Sequence, residues 1–303
     1  MKRSFGILSL LTLSSSMVFS GAIVSENSTL FSPVGFASGS ATNANTLSLD
    51  HALFNPSSAS FFPEQLKSMF FFNQQSNAFG AALVDTRTKP FNGTMFYIKR
   101  DIDGLDPSSD NPLLGNVERK ETLMGGGLMA RASNSLSFGA TVKYLTFEEI
   151  GRRKTVRGKQ KIWNFDINMT VKFPSYITAA IVYQNIMKDE YGINPQKIIS
   201  SMRLDYKMFT ASVEIEKYMS KNNKAYQVPN IDADFLWRAG GSYRFYEKWR
   251  IMGAYQDNTY FDLQSYSLGL AMDFKKITLD YGFEKAINQN KYSNHVVTIG
   301  ALF

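Results

Sequence analysis

This chain of 303 residues contains few side chains of the types used for covalent catalysis or metal binding. The sequence contains two histidines, His51 and His295, and no cysteine. Nucleophilic catalysis needs a base within hydrogen-bonding reach of the nucleophile, and zinc sites draw mainly on Cys and His ligands. Ser293 and Asn294 precede His295, but this spacing does not suggest a catalytic triad. The sequence therefore predicts no enzyme activity, no metal site and no cofactor.

Acidic and basic side chains at alternating positions offer more chemistry. Residues 160–173 place Trp163 and Phe173 on one face, and Asp166 and Lys172 on the other. Strict alternation is the period of a β-strand, whereas a helix would scatter both sets around its circumference. Further segments put charged residues on their polar faces in the same way, namely Arg203, Asp205, Glu214, Glu216, Arg238, Arg244, Arg250, Asp273, Asp280 and Glu284.

About 14 segments show this alternation, and each is near the length of roughly 9–11 residues that a tilted strand needs to cross a bilayer. Tight connections alternate with longer polar ones, as in outer-membrane barrels with short periplasmic turns and external loops. The predicted strands are 66–74, 78–86, 91–99, 121–131, 134–146, 160–173, 176–186, 198–207, 209–218, 235–245, 248–256, 264–274, 277–285 and 295–303.

A water-soluble β-sandwich also alternates, so the identity of the large residues decides between the two folds. Trp237 and Phe245 lie near the two ends of one apolar face, and Tyr266 and Phe274 near the ends of another. Aromatic residues at both ends form the interfacial girdles of membrane barrels. The opposite faces are rich in Gly, Ser, Thr and single charges, which suits a water-facing interior. We therefore predict an all-β fold, a closed antiparallel transmembrane β-barrel over residues 66–303.

The last predicted strand carries Val297, Ile299 and Phe303 on one face. In lipid every backbone polar group must be paired, so this strand is expected to pair with the first and leave no free edge. Its pattern also resembles the recognition signal read by the bacterial barrel-assembly machinery. We therefore expect that machinery and outer-membrane lipid as partners, with Val297, Ile299 and Phe303 as the assembly signal.

The first 22 residues predict a secretory signal peptide. Lys2 and Arg3 precede an apolar stretch, and Ser20 and Ala22 fit the small positions before a cleavage site. The apolar stretch is shorter than the roughly 20 residues of a spanning helix. The only basic cluster, residues 151–161, is interpreted as a solvated loop, so nucleic acid is not an expected partner. The expected location is the bacterial outer membrane.

Residues 23–65 do not alternate; an exposed linker would fit their composition, but we predict that they form a plug segment in the barrel. They contain an acidic residue followed by the sequence ALFNPSS. This stretch resembles the NPA region of the FadL-type family of outer-membrane transporters for long-chain fatty acids and aromatic hydrocarbons. The matching residues are Asp50, Ala52, Asn55, Pro56 and Ser57, the last of which stands where the family usually has Ala.

The resemblance implies a hatch within the lumen, with Asp50, Asn55, Pro56 and Ser57 as its motif. It also implies that a hydrophobic ligand leaves sideways through a gap in the wall. Gly125, Gly126 and Gly127 are the candidates for such a gap, because glycines interrupt strand pairing. The alternative is that these glycines only let a curved wall fit around a filled lumen.

Two interpretations also exist for the charges that would face the lumen, which include Asp166, Lys172, Arg203, Asp205, Arg238, Arg244, Arg250 and Asp280. They form either a selectivity lining for a polar solute or a network of ion pairs that fills a narrow lumen, and we favour the network.

The sequence thus predicts an outer-membrane channel for diffusive uptake of small hydrophobic molecules such as fatty acids. The alternative is a non-transporting surface or scaffold barrel that binds a protein partner. A general porin is a third hypothesis, but its open lumen conflicts with a plug. An apolar pocket facing the plug would favour uptake, whereas a closed, salt-bridged lumen with ordered outer loops would favour the scaffold.

Overall fold

The computed structural model describes residues 44, 52–53, 55–74, 77–88, 91–105, 117–150, 156–174, 176–187, 196–219, 235–246, 248–259, 263–287 and 293–303. The predicted signal peptide, most of the segment 23–65, and the residues Asp50 and His51 lie outside the described residues.

The described chain forms one helical turn and fourteen strands, and each strand pairs antiparallel with its sequence neighbours in a closed barrel. No helix in this part of the chain is long and apolar enough to cross a membrane. The elements are α1 (Pro56–Ala59), β1 (Leu66–Asn73), β2 (Ala78–Asp85), β3 (Phe91–Leu105), β4 (Val117–Arg131), β5 (Leu136–Ile150), β6 (Val156–Lys172), β7 (Ile177–Gln184), β8 (Lys197–Tyr206), β9 (Phe209–Tyr218), β10 (Phe235–Phe245), β11 (Trp249–Asn258), β12 (Leu263–Phe274), β13 (Ile277–Ala286) and β14 (Ser293–Leu302).

The predicted fold class is confirmed, and all fourteen predicted strands are present. The largest difference is the length of β3 to β6, which contain 15 to 17 residues. These strands continue past the segments that alternate between apolar and polar residues. Outside a hydrocarbon layer an outward-facing residue need not be apolar, so the extensions lack the pattern from which strands were predicted.

The barrel closes where β1 pairs with β14, in a register that runs from Lys67 opposite Leu302 to Asn73 opposite Val296. The predicted pairing of the last and first strands is therefore confirmed. Closure removes both free edges, so the backbone groups of β1 and β14 are satisfied within the wall. The three residues of the predicted assembly signal, Val297, Ile299 and Phe303, are exposed on the outer face. Their recognition by assembly machinery stays a prediction.

The outer face of the barrel is a belt of exposed apolar side chains. Met95, Leu128 and Phe70 each have more than 60% of their surface exposed. Soluble monomers rarely expose large contiguous apolar surface. On β6, Trp163 and Phe173 are exposed at the two ends of this belt. Hydrocarbon is the environment that such a belt requires, so the barrel spans a lipid bilayer.

Replacing Ile167 with lysine tests this orientation, because Ile167 is exposed midway between Trp163 and Phe173. We expect Ile167→Lys to lower the free energy of unfolding from lipid vesicles by about 2–4 kcal/mol, the usual cost of a lysine at the bilayer midplane. The control, Tyr246→Lys, changes an 85% exposed residue in a tight turn and should cost less than about 1 kcal/mol. Equal effects in urea titrations would contradict the membrane orientation.

Candidate functional site

The helical turn α1 lies against the inner face of the wall, where hydrogen bonds join it to β6. The side-chain amide of Asn55 donates to Thr170 Oγ1 at 3.1 Å, and the backbone N–H of Ser57 donates to Asn168 Oδ1 at 3.0 Å. The hydroxyl groups of Ser57 and Thr170 are 2.7 Å apart. All four residues are buried. Two residues of the predicted hatch motif are thus joined to one strand of the barrel.

Two glycines make room for Pro56, the third motif residue that the structure describes. A Cβ atom on Gly127 would lie 3.0 Å from Pro56 Cγ and 2.7 Å from Thr94 Oγ1. A Cβ atom on Gly139 would lie 3.2 Å from Pro56 Cγ and 2.8 Å from the backbone nitrogen of Ser57. Side chains at these positions would displace α1. The segment and the wall are therefore shaped to fit each other.

The three consecutive glycines of β4 lie in a closed part of the wall. Gly125 to Gly127 pair with Phe96 to Thr94 on β3 and with Lys143 to Thr141 on β5, without a register shift. Gly125 accommodates the ring of Phe96, since a Cβ there would lie 2.5 Å from Phe96 Cζ. A lateral gap at these glycines requires the pairing of β4 with β3 or with β5 to open, and it stays a prediction.

An apolar row crosses the inner faces of the first six strands. Its members are direct cross-strand partners, and all except the glycine have buried apolar side chains. The glycine is covered by the ring of Phe71, its partner on β1. We call this set the apolar row: Phe71, Gly80, Ile98, Leu123, Leu145 and Ile162.

The apolar row belongs to a larger cluster that includes the N-terminal segment. Ala52, Leu53 and Ala59 are buried in this cluster, and Phe62 packs against it. The apolar part of the inner wall therefore meets the N-terminal segment at Ala52, Leu53, Ala59 and Phe62. The uptake hypothesis predicts an apolar pocket facing this segment, and the described residues show apolar packing between the segment and the wall.

Buried charged groups are concentrated on the inner faces of β8, β9 and β10. Lys197 Nζ lies 2.9 Å from Glu216 Oε1, and an Arg238 guanidinium nitrogen lies 2.8 Å from Glu214 Oε1 and 3.6 Å from Glu216 Oε2. These four side chains are almost entirely buried. Arg238 also donates to Gln256, whose amide donates to a carboxylate on β13. We call Lys197, Glu214, Glu216 and Arg238 the buried ion-pair network.

Asp166 has a structural partner that sequence reasoning did not place among the site residues. Lys143 Nζ lies 2.9 Å from Asp166 Oδ2 and donates to Asn185 Oδ1 at 2.8 Å. Asp166 also accepts the backbone N–H of Asn185 at 2.8 Å. The pair therefore holds the chain where it leaves β7. Lys143 follows the same alternation as its neighbours, so strand parity was the signal that placed it inside.

The remaining predicted charges lie towards the barrel end that carries the tight turns 132–135, 207–208 and 275–276, here called the turn end. Arg203 pairs with Asp205 at 2.8 Å, and Arg250 Nη2 lies 3.8 Å from Asp273 Oδ2. Arg244 and Asp280 line a cavity at this end of the barrel. Lys172, at the end of β6, is exposed.

Some inner-face charged residues were missed as site residues because they lie at or beyond the edges of the predicted strands. Arg100 and Glu121 form a buried ion pair between β3 and β4, at the outer edge of the predicted strands. Lys197 is the first residue of β8, one position before the predicted start. His295 lies on the outer face, where its Nδ1 is 2.7 Å from the hydroxyl of Tyr281.

Solved structures provide the comparison, because no protein-family model and no curated protein matches the sequence. The toluene transporter TbuX of Ralstonia pickettii is similar with a TM-score of 0.64 and 11% identity, over 91% of this chain and 99% of that one. A FadL homologue of Pseudomonas aeruginosa gives a TM-score of 0.65 and 10% identity, over 90% and 98%.

The chain has the fold of the FadL-type transporters. The toluene transporter TodX of P. putida agrees, with a TM-score of 0.60 and 10% identity over 84% of this chain and 94% of that one. The resemblance noted in the short motif around Asn55 and Pro56 is thus supported by the architecture of the whole barrel. Together with the outer apolar belt, this fold makes the protein a barrel of the outer-membrane type.

A valine at position 139 tests the fit between α1 and the wall. We expect Gly139→Val to displace α1, because its Cβ would collide with Asn168 and the Ser57 backbone. The chain has no cysteine, so a Ser58→Cys reporter gives a maleimide-labelling signal without background. Labelling should accelerate at least about tenfold, the factor for losing roughly 1.4 kcal/mol of packing. Gly253→Ala, which meets nothing closer than 3.7 Å, should leave the rate unchanged; equal rates in both variants would contradict the fit.

Removing Arg238 tests the buried ion-pair network. Arg238→Met leaves two buried carboxylates without their guanidinium partner, so unfolding free energy should fall by about 3–5 kcal/mol. Arg87→Met breaks an exposed pair with Asp85, in which the Arg87 side chain is 50% exposed, and should cost less than about 1 kcal/mol. Urea unfolding of both variants measures the difference, and a small loss for Arg238→Met would show that the network contributes little.

Proposed function

We propose that this barrel carries small hydrophobic molecules across the bacterial outer membrane by diffusion. The observation that carries the proposal is the apolar row, a continuous line of cross-strand partners over six neighbouring strands of an interior that also holds buried ion pairs. A water-filled channel for polar solutes needs no such surface. A hydrophobic molecule does, because it gains about 25 cal/mol for each square ångström of apolar area removed from water.

The apolar row also has a direction that suits uptake. Strand pairing in a tilted barrel carries a row of cross-strand partners along the axis as well as around the wall. The row thus climbs away from the turn end, from Phe71, two residues before the end of β1, to Ile162, next to the exposed residue Trp163 on β6. We take the turn end as periplasmic, as in other barrels of this type. A ligand entering near Ile162 would then descend along the row towards residues 52–62.

Residues 52–62 would act as the hatch in this mechanism. Leu53 and Ala59 occupy the apolar cluster that a ligand would otherwise fill. The hydrogen bonds of Asn55 and Ser57 to β6 hold α1 in place. A ligand of sufficient apolar area would compete with Leu53 and Ala59 for the same surface. Fold similarity to toluene transporters and to a FadL homologue supports monoaromatic hydrocarbons and fatty acids as the ligand classes to test.

The buried ion-pair network argues against a general porin. Paired charges that are nearly inaccessible to water do not line an open aqueous channel, whereas porins keep a wide polar lumen. The network is also compatible with the scaffold alternative, because it closes part of the lumen. Transport measurements separate these functions.

Uptake of radiolabelled toluene and palmitate into vesicles containing the protein provides the test. We expect Leu123→Asn to slow uptake about tenfold, because an amide without a partner in the apolar row raises the barrier by roughly 1–3 kcal/mol. Met252→Gln is the matched control, since Met252 is a buried inner-face residue on β11 outside the row. It should leave uptake near the wild-type rate.

The alternatives predict different results. No protein-dependent uptake of either molecule would refute the proposal and favour the scaffold. A steady ion conductance in planar bilayers, unchanged when residues 23–65 are deleted, would favour a porin. Equal slowing by Leu123→Asn and Met252→Gln would show that the apolar row is not the path.

A further inference from the structure

A cavity of about 240 Å³ lies at the turn end, between the N-terminal segment and the inner wall. Phe62 and Gln65 border it on one side, and residues of β1 and β10 to β14 border it on the other. No residue of the apolar row lines the cavity, and among the described residues of the segment 52–62 only Phe62 reaches it, which also packs against the apolar cluster.

Basic side chains outnumber acidic ones around this cavity. Its lining contains two carboxylates, of which Asp273 is 42% exposed and 3.8 Å from Arg250. The positive charge of Arg244 repels both Arg250 and Arg203, and Asp273 and Asp205, the carboxylate partners of those two arginines, offset part of this repulsion. Such repulsion within a partly dry site is costly unless an anion balances it. The charged residues that line the cavity are Lys67, Arg244, Arg250, Lys275, Asp273 and Asp280.

Arg244 is the member of this group that needs a partner. Its backbone N–H donates to Met208 O, but no acceptor from the described part of the chain contacts its guanidinium group. The side chain is half-buried, and it lines the cavity. A guanidinium group offers five N–H donors in a planar fork that matches the oxygens of a carboxylate or phosphate.

A buried hydroxyl in the same cavity independently indicates a ligand. Thr278 is 8% exposed and lines the cavity. Among the described residues its Oγ1 has no hydrogen-bond partner. Lys67 lies beside it, because a Cβ built on Gly300 would approach both Thr278 Oγ1, at 2.5 Å, and Lys67 Cε, at 2.8 Å. Buried polar atoms without partners are rare in native proteins.

We infer that the cavity is a binding site for a small oxyanion, held by Arg244 and Arg250 with Thr278 as a neutral donor. The shared chemistry is a phosphate or carboxylate group with two or three oxygens, which accepts charge-assisted hydrogen bonds from the arginines. The anion is either free in the periplasm or the phosphate of a lipid headgroup at the membrane surface. This inference does not rest on hydrophobic transport, and either proposal can fail without the other.

Thermal unfolding of the full chain in detergent, with inorganic phosphate replacing chloride at constant ionic strength, tests the site. The midpoint of the wild-type protein should rise with phosphate concentration, as for any ligand that binds only the folded state. Arg244→Gln should weaken apparent phosphate affinity about ten- to a hundredfold, the effect of losing one hydrogen bond to a charged group. Without phosphate, Arg244→Gln should unfold at a higher temperature than wild type, because it removes the repulsion.

A second variant and a control keep the test decisive. Thr278→Val preserves the shape of the side chain and should also weaken the phosphate response. Arg87→Gln removes an exposed arginine from a turn outside the cavity and should respond as wild type.

A lipid source is tested in nanodiscs, where phosphatidylglycerol should stabilise the wild type more than phosphatidylcholine does, with the difference lost in Arg244→Gln. The inference is overturned if neither phosphate nor phosphatidylglycerol stabilises the wild type, or if Arg244→Gln and Thr278→Val respond fully.

Discussion

The structure depends on the requirement that backbone N–H and C=O groups be paired wherever the chain meets hydrocarbon. Closure of β1 on β14 satisfies it, because no strand is left with a free edge. A closed wall has two faces, and alternation assigns each residue to one of them. The outer face must be apolar. The inner face does not contact lipid and need not be apolar, so it can hold ion pairs, glycines and apolar side chains.

The lumen uses this freedom unevenly. Strands β1 to β6 carry the apolar row, and the buried ion-pair network occupies β8, β9 and β10. Buried ion pairs are expensive to desolvate and contribute little net stability against apolar packing. Here they fill one side of the lumen with groups that a hydrophobic molecule avoids. Under the proposed function, a ligand would therefore follow the apolar row on the other side, although that side also holds the pair of Lys143 and Asp166.

The contact between α1 and the wall shows how backbone and side chains share one task. Gly127 and Gly139 have no side chain and so leave space on the wall for Pro56. Asn168 and Thr170 accept hydrogen bonds from Ser57 and Asn55. Glycine on this strand face acts through the space it leaves for the helical turn. At Gly80 and Gly125 the same property lets aromatic rings lie flat on the wall, which keeps them out of the centre of the lumen.

Sequence alone predicted about fourteen strands in their order, the face of the residues that alternate, and the pairing of the ends, because alternation is a local property set by the pleat of a strand. It also pointed to Asn55, Pro56 and Ser57. The tertiary structure decided which inner-face residues are neighbours: Lys143 and Asp166 meet, and Ile98 and Leu123 share a row, through cross-strand register. Register arises from pairing between distant segments and from the shear of the closed barrel. The alternation within a single strand therefore does not predict the register between strands.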